Sequence, residues 1–236
     1  EVPALDDLQR AGAHRGLLRD LGSVGLAAGP IDDRVEVDGP RPDLLARRLD
    51  LALERDERLL EGDPGLGKSY LAQVVGAHIC DGRRLPSVKA FKALKGKVAY
   101  FDLENSVGTV TKARLVDNGC KNLHNYYQDE RPFMIDDDDA LDEVYEALER
   151  IRPDLVVFDT LNTYIGKADV HKASETQQAM VHFVEIAKRF NCSVVVLRHL
   201  TKSTKERALY RGQGSIAFTG MARVVLTVGV HPEEPD

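Results

Sequence analysis

The chain has 236 residues, of which 43% are hydrophobic and 30% charged, and its formal net charge is −6 at pH 7. This suffices for one sizeable α/β core plus an appendage, and the acidic balance argues against wholesale coating of nucleic acid while leaving room for a local basic channel. Cys80, Cys120 and Cys192 are odd in number, widely spaced and set in apolar surroundings, which suits reduced thiols better than disulfides or a metal site. No secretory signal opens the chain, and apolar runs such as 155–158 and 194–197 have the length of strands and not of membrane spans, so a cytoplasmic protein without membrane contact is expected.

Residues 1–42 are rich in Gly, Pro, Asp and Arg, with a weak helical pattern at Leu17, Leu18 and Leu21 and a possible short strand over 35–37; they read as an appendage or linker. The second unit, residues 43–236, opens with an amphipathic helix suggested by Leu44, Leu45, Leu49, Ala52 and Leu53. A short apolar stretch, Leu59-Leu60, then leads into Gly62-Asp63-Pro64-Gly65-Leu66-Gly67-Lys68-Ser69, the G-x-x-x-x-G-K-[ST] phosphate-binding loop. Its glycines let backbone N–H groups converge on phosphate oxygens, Lys68 can reach the β- and γ-phosphates, and the Ser69 hydroxyl can ligate Mg²⁺. Leu71, Ala72, Val74, Val75 and Ile79 follow at helical spacing, so the loop presents a helix N-terminus to the anion and Tyr70 falls in its first turn. These residues predict binding of a nucleoside triphosphate with Mg²⁺.

A polar, basic connection over 81–94 precedes a strand predicted at 97–103. The run Asp136-Asp137-Asp138-Asp139 invites a metal-site reading, but Leu141, Val144, Tyr145, Leu148 and Ile151 follow at helical spacing, and carboxylates in a first turn offset the helix dipole. That helix should stop at Arg152-Pro153, before a buried strand Leu155-Val156-Val157-Phe158-Asp159. Ser174-Glu175-Thr176-Gln177 has capping-box form and opens a helix with Met180, Phe183, Val184, Ala187 and Phe190 on its apolar face, closed at Asn191. Further strands are predicted at 193–197, running into Arg198-His199, and at 222–228. Strands alternating with helices imply a mostly parallel sheet whose ligands sit beyond the strand C-termini.

Four groups fall at those strand ends. Asp159 is the expected second Mg²⁺ anchor, alongside Ser69. Glu104 could orient the water that attacks the γ-phosphate, whereas Asp102, inside the strand, reads as structural. His199 could sense the γ-phosphate or be a hydrogen-bonded structural residue. The fourth is a basic stretch, Arg198, Lys202, Lys205, Arg207 and Arg211, closed by Gly212-Gln213-Gly214, which reads equally as a phosphate-backbone contact or as a solvated surface.

Taken together and in this order, residues 61–69, 100–104, 155–162, 198–202 and 210–215 resemble the RecA-like P-loop ATPases, most closely the plasmid- and phage-encoded branch related to RepA-type hexameric helicases. The likeness covers about residues 58–230. It implies an α/β fold with a mostly parallel central sheet flanked by helices and a small N-terminal appendage. Lys68 and Ser69 then look like the nucleotide and metal residues, Glu104 the catalytic carboxylate, Asp159 the metal aspartate, and His199 the link between nucleotide state and DNA loops. The resemblance further implies a ring, hexameric in this branch, with an arginine finger supplied by a neighbour, for which Arg223 matches best and Arg211 second. The DNA loops would lie at about 163–174, carrying Lys167 and Lys172, and at 201–214, carrying Lys202, Lys205 and Arg207, with Tyr164 and Tyr210 the only candidates for base stacking. Two departures stand out: the strand before the phosphate loop has little apolar length, and residues 1–42 carry no recognised motif. The expectation is thus a Mg²⁺-dependent ATPase moving on single-stranded DNA in phage or plasmid replication or recombination. Its alternatives are a nucleotide-gated module binding DNA or a partner with little turnover, and a metal-dependent nuclease built on Asp102, Glu104 and Asp159.

Overall fold

A computed structural model describes residues 24–29, 57–84, 94–165, 173–200 and 220–230, with backbone alone for 24–29, 173–176 and 230. Seven strands form one sheet: β1 (Val24–Gly29), β2 (Glu57–Gly62), β3 (Val98–Asp102), β4 (Tyr126–Asp129), β5 (Leu155–Asp159), β6 (Ser193–His199) and β7 (Val224–Val230). Their spatial order is β1-β7-β2-β6-β5-β3-β4, and every pairing is parallel except that of β1 with β7. The sequence therefore folds as expected, into an α/β unit with a largely parallel sheet flanked by helices. Val24–Gly29, inside the segment read as an appendage, supplies the antiparallel edge strand.

The helices are α1 (Lys68–Asp81), α2 (Lys112–Asp117), α3 (Asp138–Ile151), the short α4 (Leu161–Tyr164) and α5 (Ala173–Phe190). Strand side chains alternate between faces with a period of two, and two buried layers result. Leu59, Ala99, Phe101, Val156, Phe158, Val194 and Val196 pack with Leu141, Val144 and Leu148 of α3 and with Met180, Phe183 and Ile186 of α5. On the other face Leu60, Val98, Tyr100, Leu155, Val157 and Leu197 pack with Ala72, Val75, Ala77, Ile79 and Cys80 of α1 and Leu115 of α2. On α5, Ile186 is buried where the periodicity favoured Val184, which is half-buried.

Helix ends follow their local chemistry. Asp137 is the N-cap of α3, its carboxylate accepting the Ala140 N–H at 3.2 Å, so the acidic run acts as cap and first turn. Arg152 ends that helix in the left-handed region at φ 51°, and Asn191, at φ 53°, follows α5. All three cysteines are free and buried. Cys80, at the end of α1, and Cys120, after α2, share a hydrogen bond, which holds the Cys80 thiol well above its ordinary pKa and lowers that of Cys120.

The lean apolar content of β2 has a specific cause. Glu61 and Arg198 face each other across β2 and β6 and form an ion pair with both side chains 1% exposed, while the Thr227 hydroxyl donates to the other Glu61 oxygen at 3.1 Å. Arg198 is therefore no part of a basic surface stretch; it is a core residue. Tyr164 is a core residue too: it is fully buried, with its ring centroid 5.0 Å from that of Phe133 and 5.5 Å from that of Phe158, and cannot serve as the base-stacking platform expected of it. Among the described residues no helix is long and apolar enough to cross a membrane.

Candidate nucleotide site

Parallel register brings four strand ends together. Gly62 of β2 is paired with His199 of β6, and Asp102 of β3 with Asp159 of β5, while β5 lies directly beside β6. This is the C-terminal edge of the sheet, where crevices in open α/β folds receive ligands. The turn from β2 into α1 runs along it.

Glycines shape that turn. Gly65 and Gly67 hold φ of 84° and 78°, a region that disfavours any side chain, although a methyl at either would meet no atom within 4 Å. Gly62 is required for a different reason, since a methyl there would lie 2.5 Å from the Val228 carbonyl oxygen on β7. Pro64 is exposed, and Leu66, half-buried, packs against the layer beneath α1. Gly67 offers α1 no side-chain cap, so the free N–H groups of the first turn have only backbone and ligand to satisfy them.

Lys68 is 4% exposed, and its ammonium donates to the carbonyls of Gly62 and Asp63, each at 2.9 Å. Burial pushes its pKa down, opposed by the charges of Asp159, Asp63 and Glu104. Asp159 is fully buried, which raises its carboxyl to about 6 against the pull of hydrogen bonds from Ser69 and Tyr100. Its Oδ2 accepts from the Tyr100 hydroxyl at 2.8 Å, and its Oδ1 is buried without a hydrogen-bond partner. A buried carboxylate oxygen with nothing to satisfy it, beside a serine hydroxyl, fits a hard divalent cation such as Mg²⁺. Among the described residues no group of three or more His, Cys, Asp or Glu could hold a metal alone. Mg²⁺ seldom needs such a cage, because water and substrate phosphates complete its shell.

Asp102 is structural, as its place inside β3 implied. Its Oδ1 accepts the backbone N–H groups of Glu104 and Asn105 at 2.8 and 3.0 Å, and its Oδ2 accepts from the Asn105 side chain at 3.0 Å. The turn so fixed carries Glu104, which is exposed and whose charge is felt by Lys68, Asp159 and His199 alike. His199 is half-buried with Nδ1 lacking a hydrogen-bond partner. Burial and the Lys68 ammonium lower its pKa, so the ring is neutral at pH 7. Tyr70 points away from this group, exchanging hydrogen bonds with the Asn118 side chain after α2 at 3.1 and 3.3 Å.

Lys68, Ser69, Glu104, Asp159 and His199 thus converge on one edge of the sheet. Arg223 does not. It immediately precedes β7, its N–H reaching the Glu57 carbonyl at 3.2 Å where β2 begins, and so lies at the opposite end of the strands. Lys167, Lys172, Lys202, Lys205, Arg207, Tyr210 and Arg211 lie outside the described residues. Sequence reasoning missed Tyr100, because an aromatic inside an apolar strand reads as core; the signal was its position two residues before Asp102, on the face that Asp159 shares.

A family model described as an AAA domain matches residues 34–205, well over half of the chain. No curated protein matches it.

Proposed function

The chain belongs to the AAA-domain family and is a P-loop ATPase, and we propose that it hydrolyses ATP with Mg²⁺ as an assembled ring acting on single-stranded DNA. One observation carries the catalytic part: a lysine, a serine hydroxyl and an incompletely satisfied aspartate at the phosphate loop, with a glutamate and a neutral histidine within electrostatic reach. When bound, Mg²⁺ would neutralise charge on the β- and γ-phosphates. Ser69 and Asp159 would hold its shell, and Lys68 would bring its ammonium to the phosphate oxygens. Glu104 would orient the attacking water as an acceptor, and His199, as a neutral ring, would donate its one N–H to a terminal phosphate oxygen.

Arg223, at the far end of the strands from its own phosphate loop, suits a role on the nucleotide of a neighbour. A guanidinium supplied in trans makes hydrolysis contingent on assembly. Together with the resemblance to ring helicases, this supports the oligomeric reading. The DNA reading rests on that resemblance and on the basic residues of 163–174 and 201–214. Steady-state hydrolysis, measured with and without single-stranded DNA across a range of protein concentrations, tests it. Stimulation by DNA and a rate rising more than linearly with protein are expected; a rate indifferent to both removes the motor.

A further inference from the structure

We propose that Tyr100 is the positioning residue for Asp159, turning the carboxylate so that one oxygen is kept for the magnesium shell; this rests on the ATPase reading above. The Tyr100 side chain is fixed on both sides. Its ring stacks on that of Tyr126, centroids 5.7 Å apart and planes 25° from parallel. Tyr126 in turn is pressed by α1, for a methyl at Gly76 would stand 2.9 Å from its Cε2. The phenol hydroxyl so held has a single hydrogen. It donates to Asp159 Oδ2 at 2.8 Å, with the Ser69 carbonyl a more distant acceptor at 3.4 Å.

That geometry separates the two carboxylate oxygens. Oδ2 accepts from the phenol, and Oδ1 is buried without a hydrogen-bond partner, the Ser69 hydroxyl being the other group that acts on this carboxylate. A tyrosine needed only for packing would place its hydroxyl in solvent or on a backbone carbonyl; this one ties the carboxylate beside Ser69 and lies against the main chain of Ser69 itself. Tyr100 therefore couples the two residues that would share the metal. Partners of this kind, which orient a ligand without touching the ion, typically change metal affinity by about ten- to a hundredfold when lost.

The test reads metal binding directly. Mn²⁺ is titrated into the full chain with saturating ADP and followed by electron paramagnetic resonance, for wild type, Tyr100→Phe, Asp159→Ala and the double variant. Tyr100→Phe keeps the ring and its stack, and it is expected to weaken Mn²⁺ binding about tenfold while leaving metal-free ADP affinity unchanged. In the Asp159→Ala background the same change is expected to have no further effect, since its target is gone. Tyr126→Phe, removing the neighbouring hydroxyl, is expected to match wild type. Equal Mn²⁺ affinity in Tyr100→Phe and wild type overturns the inference, as does an additive loss in the double variant. Failure of the wild-type chain to bind Mn²⁺ with ADP would instead overturn the ATPase reading beneath it.

Discussion

Glu61 and Arg198 sit opposite each other on β2 and β6 and form an ion pair that is almost wholly shielded from water. Taking two charges out of water is costly, so the pair serves stability only while both members are present. Arg198→Met, which strands Glu61, is expected to lower unfolding free energy by about 3–5 kcal/mol. The double variant Glu61→Leu, Arg198→Met should recover most of that loss. Urea denaturation of the three chains checks it; a double variant as unstable as the single one would mean that the pair is more than self-compensating.

Lys68 is held at the mouth of the phosphate loop by two carbonyls. Charge-assisted hydrogen bonds from this ammonium to phosphate oxygens would contribute about 1.5–3 kcal/mol each, so Lys68→Ala is expected to weaken ATP binding by at least about tenfold. Titration calorimetry with ATP and Mg²⁺ reads this out. Unchanged affinity would place the triphosphate elsewhere.

Glu104 stands on a turn that Asp102 fixes through two backbone hydrogen bonds. Removing only its charge leaves that turn intact. Glu104→Gln is expected to reduce turnover by about 10²–10⁴-fold, with ATP affinity retained, as measured by coupled hydrolysis and by nucleotide binding on one preparation. Undiminished turnover in this variant would favour a nucleotide-gated switch over a motor.

His199 has its folded-state pKa depressed below 6.5 by burial and by the Lys68 ammonium. The unfolded chain therefore takes up a proton at this position before the folded one does. Stability associated with neutral His199 is complete above pH 6.5 and falls as pH drops from there toward the lowered folded value. The thermal midpoint of the wild type should thus drop further between pH 7.5 and 5.5 than that of His199→Gln. Identical drops would show that the imidazole carries no such penalty.

The elements that were legible in the sequence are those whose signal is local. The phosphate loop, the Asp137 cap and the strand ending at Asp159 each follow from a few adjacent residues. β7 begins at Val224 and not at 222, a shift of the kind that strand ends allow when their limits are set by neighbouring strands. β4 and α2 are not legible because Tyr126–Asp129 and Lys112–Asp117 are too short to show a period, and they take their form from β3 and α1 alongside. Arg198 and Tyr164 were misread for the same reason: a cation after an apolar run and a tyrosine after a strand look exposed until Glu61, Phe133 and Phe158 are brought against them. In the site, position on a strand end announced Asp159 and His199, whereas the contact of Tyr100 with Asp159 belongs to the pairing of β3 with β5.

Gly62, Asp102, Asp159 and His199 come from widely separated parts of the chain and meet only through the pairing of β2, β6, β5 and β3. No single strand or loop of this sequence carries all four, so the cradle exists only where these strands are paired. A molecule captured there recognises the finished sheet alone, so its occupancy and the completion of folding rise together by mass action.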